Sequence, residues 1–214
     1  ARGLAAERAL RQGGADARYL ALDVTDPGSV ATAAAWVEAE YGHLDILVNN
    51  AGIARGQPPS QTDLQDMREV YEVNIFGVIR VTNAMLPLLR QAPAARIVNV
   101  SSEVGSVTAM TDPGSPLAQM PAALAYPSAK SALNMITALY ARELSGTPIK
   151  VNAANPGYTA TDLNRHSGYR LAAEGAEPIV HLATLDAGGP SGILWGHLAM
   201  AGHAAGDGYG PLPW

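Results

Sequence analysis

The stretch Tyr126-Pro127-Ser128-Ala129-Lys130 sets a phenol and an ammonium four residues apart where a helical pattern begins. At that spacing both side chains leave one helix face. A nearby cation favours the phenolate, so Lys130 is expected to draw the Tyr126 pKa down from its usual value of about 10, towards the range where the hydroxyl can act as a general acid. The pair alone does not select that chemistry, because a Tyr and a Lys at this spacing also form an ordinary solvated pair. Other polar groups must arrive at the same place. Asp23, the Asn49-Asn50-Ala51-Gly52 run, Asn74, the Ser101-Ser102 pair and Asn155-Pro156-Gly157 are the candidates.

The elements that would position them alternate between strand and helix. Ala17 to Val24 reads as a buried strand with Asp23 at its carboxyl end, and Thr25-Asp26-Pro27 then opens a helix whose Val30, Ala34, Val37 and Tyr41 recur at helical spacing up to Gly42. Leu44 to Val48 is a second strand ending in Asn49-Asn50-Ala51-Gly52, a loop whose glycine permits close backbone approach. Thr62-x-x-Gln65 reads as a capping box for a long helix striped by Met67, Val70, Asn74, Val78 and Val81, which Pro87 would kink near its end. An amide in that stripe must find partners, either local backbone or a site.

Ala95 to Val100 is a third strand running into Ser101-Ser102, hydroxyls that either turn the chain or serve chemistry. Glu103 to Ala125, broken by Gly105, Pro113, Gly114, Pro116 and Pro121, reads as a loop without regular structure, and long loops in compact domains tend to cover a site. A helix over Pro127 to Leu144 and a fourth strand over Ile149 to Ala154 lead to Asn155-Pro156-Gly157. A polar loop follows, then a helix around Glu177 to Leu185, a short strand near Ile193 to Trp195 and a Gly-rich tail. Repeated strand–helix alternation predicts an α/β fold with a mostly parallel, doubly wound sheet, in which ligands bind beyond the carboxyl ends of the strands. Asp23, Asn50, Ser102 and Asn155 each lie at such an end.

Composition bounds the rest. The 214 residues carry no Pro/Gly/Ser linker run, so one domain over 1–214 is expected. A net charge of −5, with 15% charged residues, offers no basic footprint for nucleic acid and no polybasic face for a membrane. Zero Cys removes disulfides, thiolate metal sites and thiol catalysis, and fits a cytoplasmic location. No apolar run approaches the roughly 18 residues of a spanning helix, so a soluble protein is expected. His43, His166, His181, His197 and His203 show no ligand spacing, and His197 and His203 are expected at the surface.

Taken in order, Leu22-Asp23-Val24, Asn49-Asn50-Ala51-Gly52, Val73-Asn74 with Gly77, Ile97 to Ser102, Tyr126 to Lys130, Asn155-Pro156-Gly157 with Thr161-Asp162, and Glu174-Gly175-Ala176-Glu177 resemble the short-chain dehydrogenase/reductase family, in its carbonyl reductase branch. The resemblance implies a Rossmann-like sheet and an oxidoreductase that moves hydride between NADP(H), or NAD, and a small carbonyl or alcohol. It implies a catalytic set of Asn74, Ser102, Tyr126 and Lys130. Tyr126 would give the proton, Ser102 would hold the oxygen, Lys130 would acidify Tyr126 and bond the ribose, and Asn74 would fix a water that relays protons. It also implies cofactor contacts from Asp23, Val24, Asn50, Ala51, Gly52, Tyr126, Lys130, Pro156, Gly157 and Thr159, and no metal.

Three departures accompany it. The family's opening strand, Gly-rich phosphate loop, following helix and second strand have no counterpart here, which reads as an N-terminally truncated sheet. Those strands would sit between Ala17 to Val24 and Leu44 to Val48. The separation of Ser102 from Tyr126 matches the family's longer form, which implies a monomer, and Trp195 to Gly206 leaves the family pattern. Two competing readings are a non-catalytic relative that binds nucleotide or a partner, and a sugar-nucleotide epimerase or dehydratase sharing the Tyr-x-x-x-Lys pair. The four residue types of the site speak against the first, and the lack of a substrate domain against the second.

Overall fold

Short apolar strands joined by helices pair in parallel, and both faces of the resulting sheet need cover. A computed structural model describes residues 2–198 and 208–214. Its helices are α1 (Arg2–Gln12), α2 (Pro27–Tyr41), α3 (Leu64–Tyr71), α4 (Val78–Leu89), α5 (Val107–Thr111), α6 (Ala125–Glu143) and α7 (Ala172–Ala183). Its strands are β1 (Ile46–Asn49), β2 (Arg96–Val100), β3 (Lys150–Asn155), β4 (Leu194–His197) and β5 (Tyr209–Leu212). The sheet order follows the chain, with β1 to β4 parallel and β5 antiparallel to β4. This is the mostly parallel, Rossmann-like α/β sheet that the alternation predicts.

Alternation along each strand divides the core in two. Leu47, Ile97 and Val151 stand side by side in register and pack with Val30 and Ala33 of α2, Val81 and Met85 of α4, and Ala141 of α6. Val98 and Ala154 project to the opposite face, where Leu182 of α7 covers them. Asn49 and Asn99 are register partners on the first face, and their amides form a buried chain. Asn49 Nδ2 donates to Thr82 Oγ1 at 3.1 Å and to Asn99 Oδ1 at 2.8 Å. Asn99 Nδ2 donates to Thr137 Oγ1 at 2.9 Å, whose hydroxyl donates to Leu133 O at 2.8 Å. The chain stitches α4, β1, β2 and α6 where apolar contact alone would leave amides unpaired.

Several expected elements differ. Ala17 to Val24 is not a strand: residues 15–23 form no regular structure and are largely exposed. A strand exists only where a neighbour takes its hydrogen bonds, and β1's outer edge has no ladder partner among the described residues. Ile46 and Val48, on the face of β1 opposite Leu47, are exposed, and α1 buries no side chain. The long helix is capped by Asp63, whose carboxylate accepts from Gln65 N at 2.8 Å, while Thr62 turns its hydroxyl back to Pro58 O. A π-helical segment, Glu72–Gly77, joins α3 to α4 in one helix of 26 residues. By length and composition it could cross a membrane, against the expectation that nothing approaches that length, but half of its most apolar window is buried in the protein.

The 103–125 segment is more ordered than expected, with 3₁₀ turns at Glu103–Gly105 and Pro116–Gln119 around α5. Helix α7 begins five residues before the expected start, and the tail returns as β5. His197 is buried at 1% exposure rather than at the surface, because β5 folds over β4, and the expectation for His203 lies outside the described residues.

Asn99→Ala would leave Asn49 and Thr137 short of a partner and is expected to lower unfolding free energy by about 2–3 kcal/mol in urea titration. Asn83→Ala, which removes only an exposed bond to the Tyr140 hydroxyl, should cost about 0.5 kcal/mol or less.

Candidate active site at the carboxyl ends of the strands

The first turn of α6 carries Tyr126, and the next carries Lys130 directly over it, beside the carboxyl end of β2. Lys130 is 5% exposed; its Nζ donates to Val100 O at 2.7 Å and lies 5.4 Å from the centre of the Tyr126 ring. Ser102 follows β2, and its hydroxyl stands beside that of Tyr126. Its neighbour Ser101 points inward and donates to Asn134 Oδ1 at 2.5 Å. Of the serine pair it is therefore Ser102 that reaches the phenol. Phenol, hydroxyl and ammonium meet at one strand end.

The electrostatics differ from the simple pair argument. Burial pushes Tyr126 up to about 12, opposed by the Ser102 hydrogen bond, and Lys130 does not pull the phenol down. Burial lowers Lys130 to about 8, and its ammonium is engaged with the Val100 carbonyl. At neutral pH the site therefore holds a neutral phenol and a charged lysine. That is the protonation state of a proton donor.

Asn74 lies in the π-helical segment and is fully buried. Its Oδ1 accepts from Ile53 N at 2.9 Å and its Nδ2 donates to Ile53 O at 2.9 Å, the pairing a strand neighbour would make. The amide thus pins the loop that carries Asn50, Ala51 and Gly52, three exposed residues. It does not itself turn to Lys130. The extra residue of a π-bulge sits here, a common placement at functional sites. Val24 packs beside Gly77 of the same segment, and the Arg80 guanidinium holds Val24 O. Asp23 is exposed, and its carboxylate is kept below the usual range by the Thr25 hydroxyl and amide that it accepts from.

At the end of β3, Gly157 takes φ 72°. A Cβ there would stand 2.8 Å from Arg170 Cδ and 3.0 Å from His197 Nδ1, so only glycine fits. Thr159 directs its hydroxyl to the Pro156 and Gly157 carbonyls, and its backbone pairs with Arg170. The loop is braced from outside by Arg170, which donates to Glu174 O and to the Tyr209 hydroxyl. Neither Arg170 nor Tyr209 is marked in the sequence by motif or period; both act through contacts between distant elements.

These residues fit the two ends of a dinucleotide. Exposed backbone at Asn50 to Gly52 permits close approach, half-buried Gly157 lies at the end of β3, and Tyr126 with Lys130 faces the same rim. A phosphate-gripping glycine loop is not among them.

Comparison with known proteins is consistent with this geometry. The family model for short chain dehydrogenases matches residues 1–171. The short-chain dehydrogenase anuI of Penicillium roqueforti is 41% identical over 171 residues, which span 77% of this chain and 67% of that protein. Salutaridine reductase from Papaver somniferum superposes with a TM-score of 0.77 at 26% identity, covering 90% of this chain and 87% of that one. NADPH-bound carbonyl reductase from chicken fatty liver superposes with a TM-score of 0.74 at 30% identity, covering 88% and 78%.

Gly157→Ala would force a side chain into a positive-φ position against Arg170 and His197. A loss of about 1–3 kcal/mol in stability is expected, read as a lowered urea midpoint.

Proposed function

Because this chain belongs to the short-chain dehydrogenase family, and is an oxidoreductase of that kind, we propose that it reduces an aldehyde or ketone with NADPH, and oxidises the corresponding alcohol in reverse. The observation that carries the reading is the meeting of Ser102, Tyr126 and Lys130 at the end of β2, with the phenol held in its neutral form. The choice of NADP over NAD draws on the NADPH bound to the chicken carbonyl reductase.

A bound nicotinamide would supply the hydride. The chain's own groups do the rest. Ser102 holds the carbonyl oxygen beside the phenol, and Tyr126 gives that oxygen its proton as negative charge develops there. Lys130 holds its buried ammonium at the same strand end, 5.4 Å from the centre of the Tyr126 ring. Asn74 acts at one remove, clamping the Asn50 to Gly52 loop through Ile53. Asp23 and Val24 would meet the adenine end, and Pro156, Gly157 and Thr159 the nicotinamide end.

The Glu103–Gly105 turn presses on α6, where the Ser131 hydroxyl donates to Gly105 O at 2.8 Å and a Cβ on Gly105 would strike the Lys130 backbone. That cover over the start of α6 supports a monomer, and the lack of Cys supports a cytoplasmic setting. Light scattering tests the first: a tetramer would count against it.

The activity is tested by following NADPH oxidation with a quinone or a simple aldehyde. Tyr126→Phe is expected to lower kcat/KM by about 100-fold or more without lowering the melting temperature. Equal rates in wild type and variant would remove Tyr126 as the acid.

A further inference from the structure

Glu103 directly follows Ser102, yet the chemistry above does not use it. It is 4% exposed, and its Oε2 is buried with no hydrogen-bond partner among the described residues. No cation pairs with it in any ion pair among the described residues. The turn that carries it packs on α6, the helix of Tyr126 and Lys130, and on α5, which carries nothing titratable, and Asn155 at the end of β3 bonds its backbone N–H.

Asn155 is the centre of this arrangement. Its Oδ1 accepts from Glu103 N at 3.1 Å and from Gly157 N at 3.3 Å, and its Nδ2 donates to His197 O at 2.7 Å. The two backbone N–H groups fix which end of the amide is oxygen. The Glu103 carboxyl lies against this amide side chain. One buried amide therefore ties the ends of β2, β3 and β4, with the Glu103 side chain beside it.

Resting on the reductase reading above, we infer that Glu103 is a positioning residue for that reaction: as a neutral carboxylic acid it locks Asn155, and Asn155 in turn sets Ser102 and Gly157 at a fixed separation. Three observations favour the neutral acid. A carboxylate with one oxygen bare in the interior and no cation is costly. Burial pushes this carboxyl up to about 7, with the Asn155 hydrogen bond opposing. Finally, an anion on the residue after Ser102 would oppose the negative charge that grows on the substrate oxygen beside Ser102. Ionisation of Glu103 should therefore slow reduction as pH rises through about 7, a limb below the one set by Lys130 near 8.

The test compares wild type with Glu103→Gln and Glu103→Ala. In NADPH oxidation with a quinone, wild-type kcat should begin to fall near pH 7, whereas Glu103→Gln, which keeps the shape and cannot ionise, should hold its rate up to about pH 8. Glu103→Ala should lose about tenfold in kcat at pH 6, with a smaller change in the KM for quinone.

A second readout needs no turnover. The folded pKa of Glu103 lies above its unfolded value, so the wild type loses stability relative to Glu103→Gln as pH rises from about 4.5 to about 7. The melting-temperature advantage of Glu103→Gln should grow across that window and level off above it. Superimposable pH profiles together with a pH-independent melting difference would overturn the inference. If the wild type reduces no carbonyl, the function reading fails, while the melting comparison still decides whether Glu103 is held neutral. If Glu103→Ala does not fold, Glu103→Gln alone gives both answers.

Discussion

A buried amide has two donors and an oxygen to satisfy, and in this protein that requirement organises the site more than any apolar contact does. Asn155 meets it by bonding backbone from the ends of β2, β3 and β4. Asn74 meets it with the Ile53 backbone, and Asn49 and Asn99 meet it with each other and with threonines of α4 and α6. In each case the cost of leaving the amide unpaired, about 1–3 kcal/mol, exceeds the net gain of an average hydrogen bond. The loops that must meet substrate and cofactor are thus held by groups that have nowhere else to bond.

The apolar layers decide where those amides can stand. Leu47, Ile97 and Val151 bind the sheet to α2, α4 and α6 on one face, and Val98 with Ala154 meets α7 on the other. Parallel register then brings the carboxyl ends of β1 to β4 to one rim. Helix α6 enters that rim with its first two turns, which is why Tyr126 and Lys130 are both largely withdrawn from water. The same burial that raises the phenol lowers the lysine. A neutral acid beside a charged lysine is the joint result, reached by desolvation of each group and not by the charge of one acting on the other.

The outer edge of the site is set by contacts across long sequence separations. Tyr209 on β5 bonds Arg170 and Glu177, so the last strand braces the loop that leaves Gly157. Arg170 and His197 fill the space beside Gly157 and make that glycine obligatory. Function at this rim depends on the tail as well as on the motif residues.

Sequence alone determined the parallel α/β architecture and the placement of Asn50, Ser102 and Asn155 at strand ends, because these follow from local periodicity, from the length of apolar runs and from a topological rule about where such sheets bind ligands, while the order of its motifs carried the resemblance to the family. The tertiary structure decided what no local pattern contains. Residues 15–23 have strand composition, but a strand needs a neighbour's backbone, and that neighbour is a property of the sheet. Asn74 reads as a polar member of a stripe, and only the packed loop shows that Ile53 takes its amide. Lys130 has the spacing to acidify Tyr126, and only the three-dimensional arrangement turns its ammonium to the Val100 carbonyl. Glu103, His197 and Arg170 are polar residues of a kind usually found in water, and they are buried here because distant segments close over them. Spacing fixes which face of an element a side chain takes; the partner it meets there is chosen by the rest of the chain.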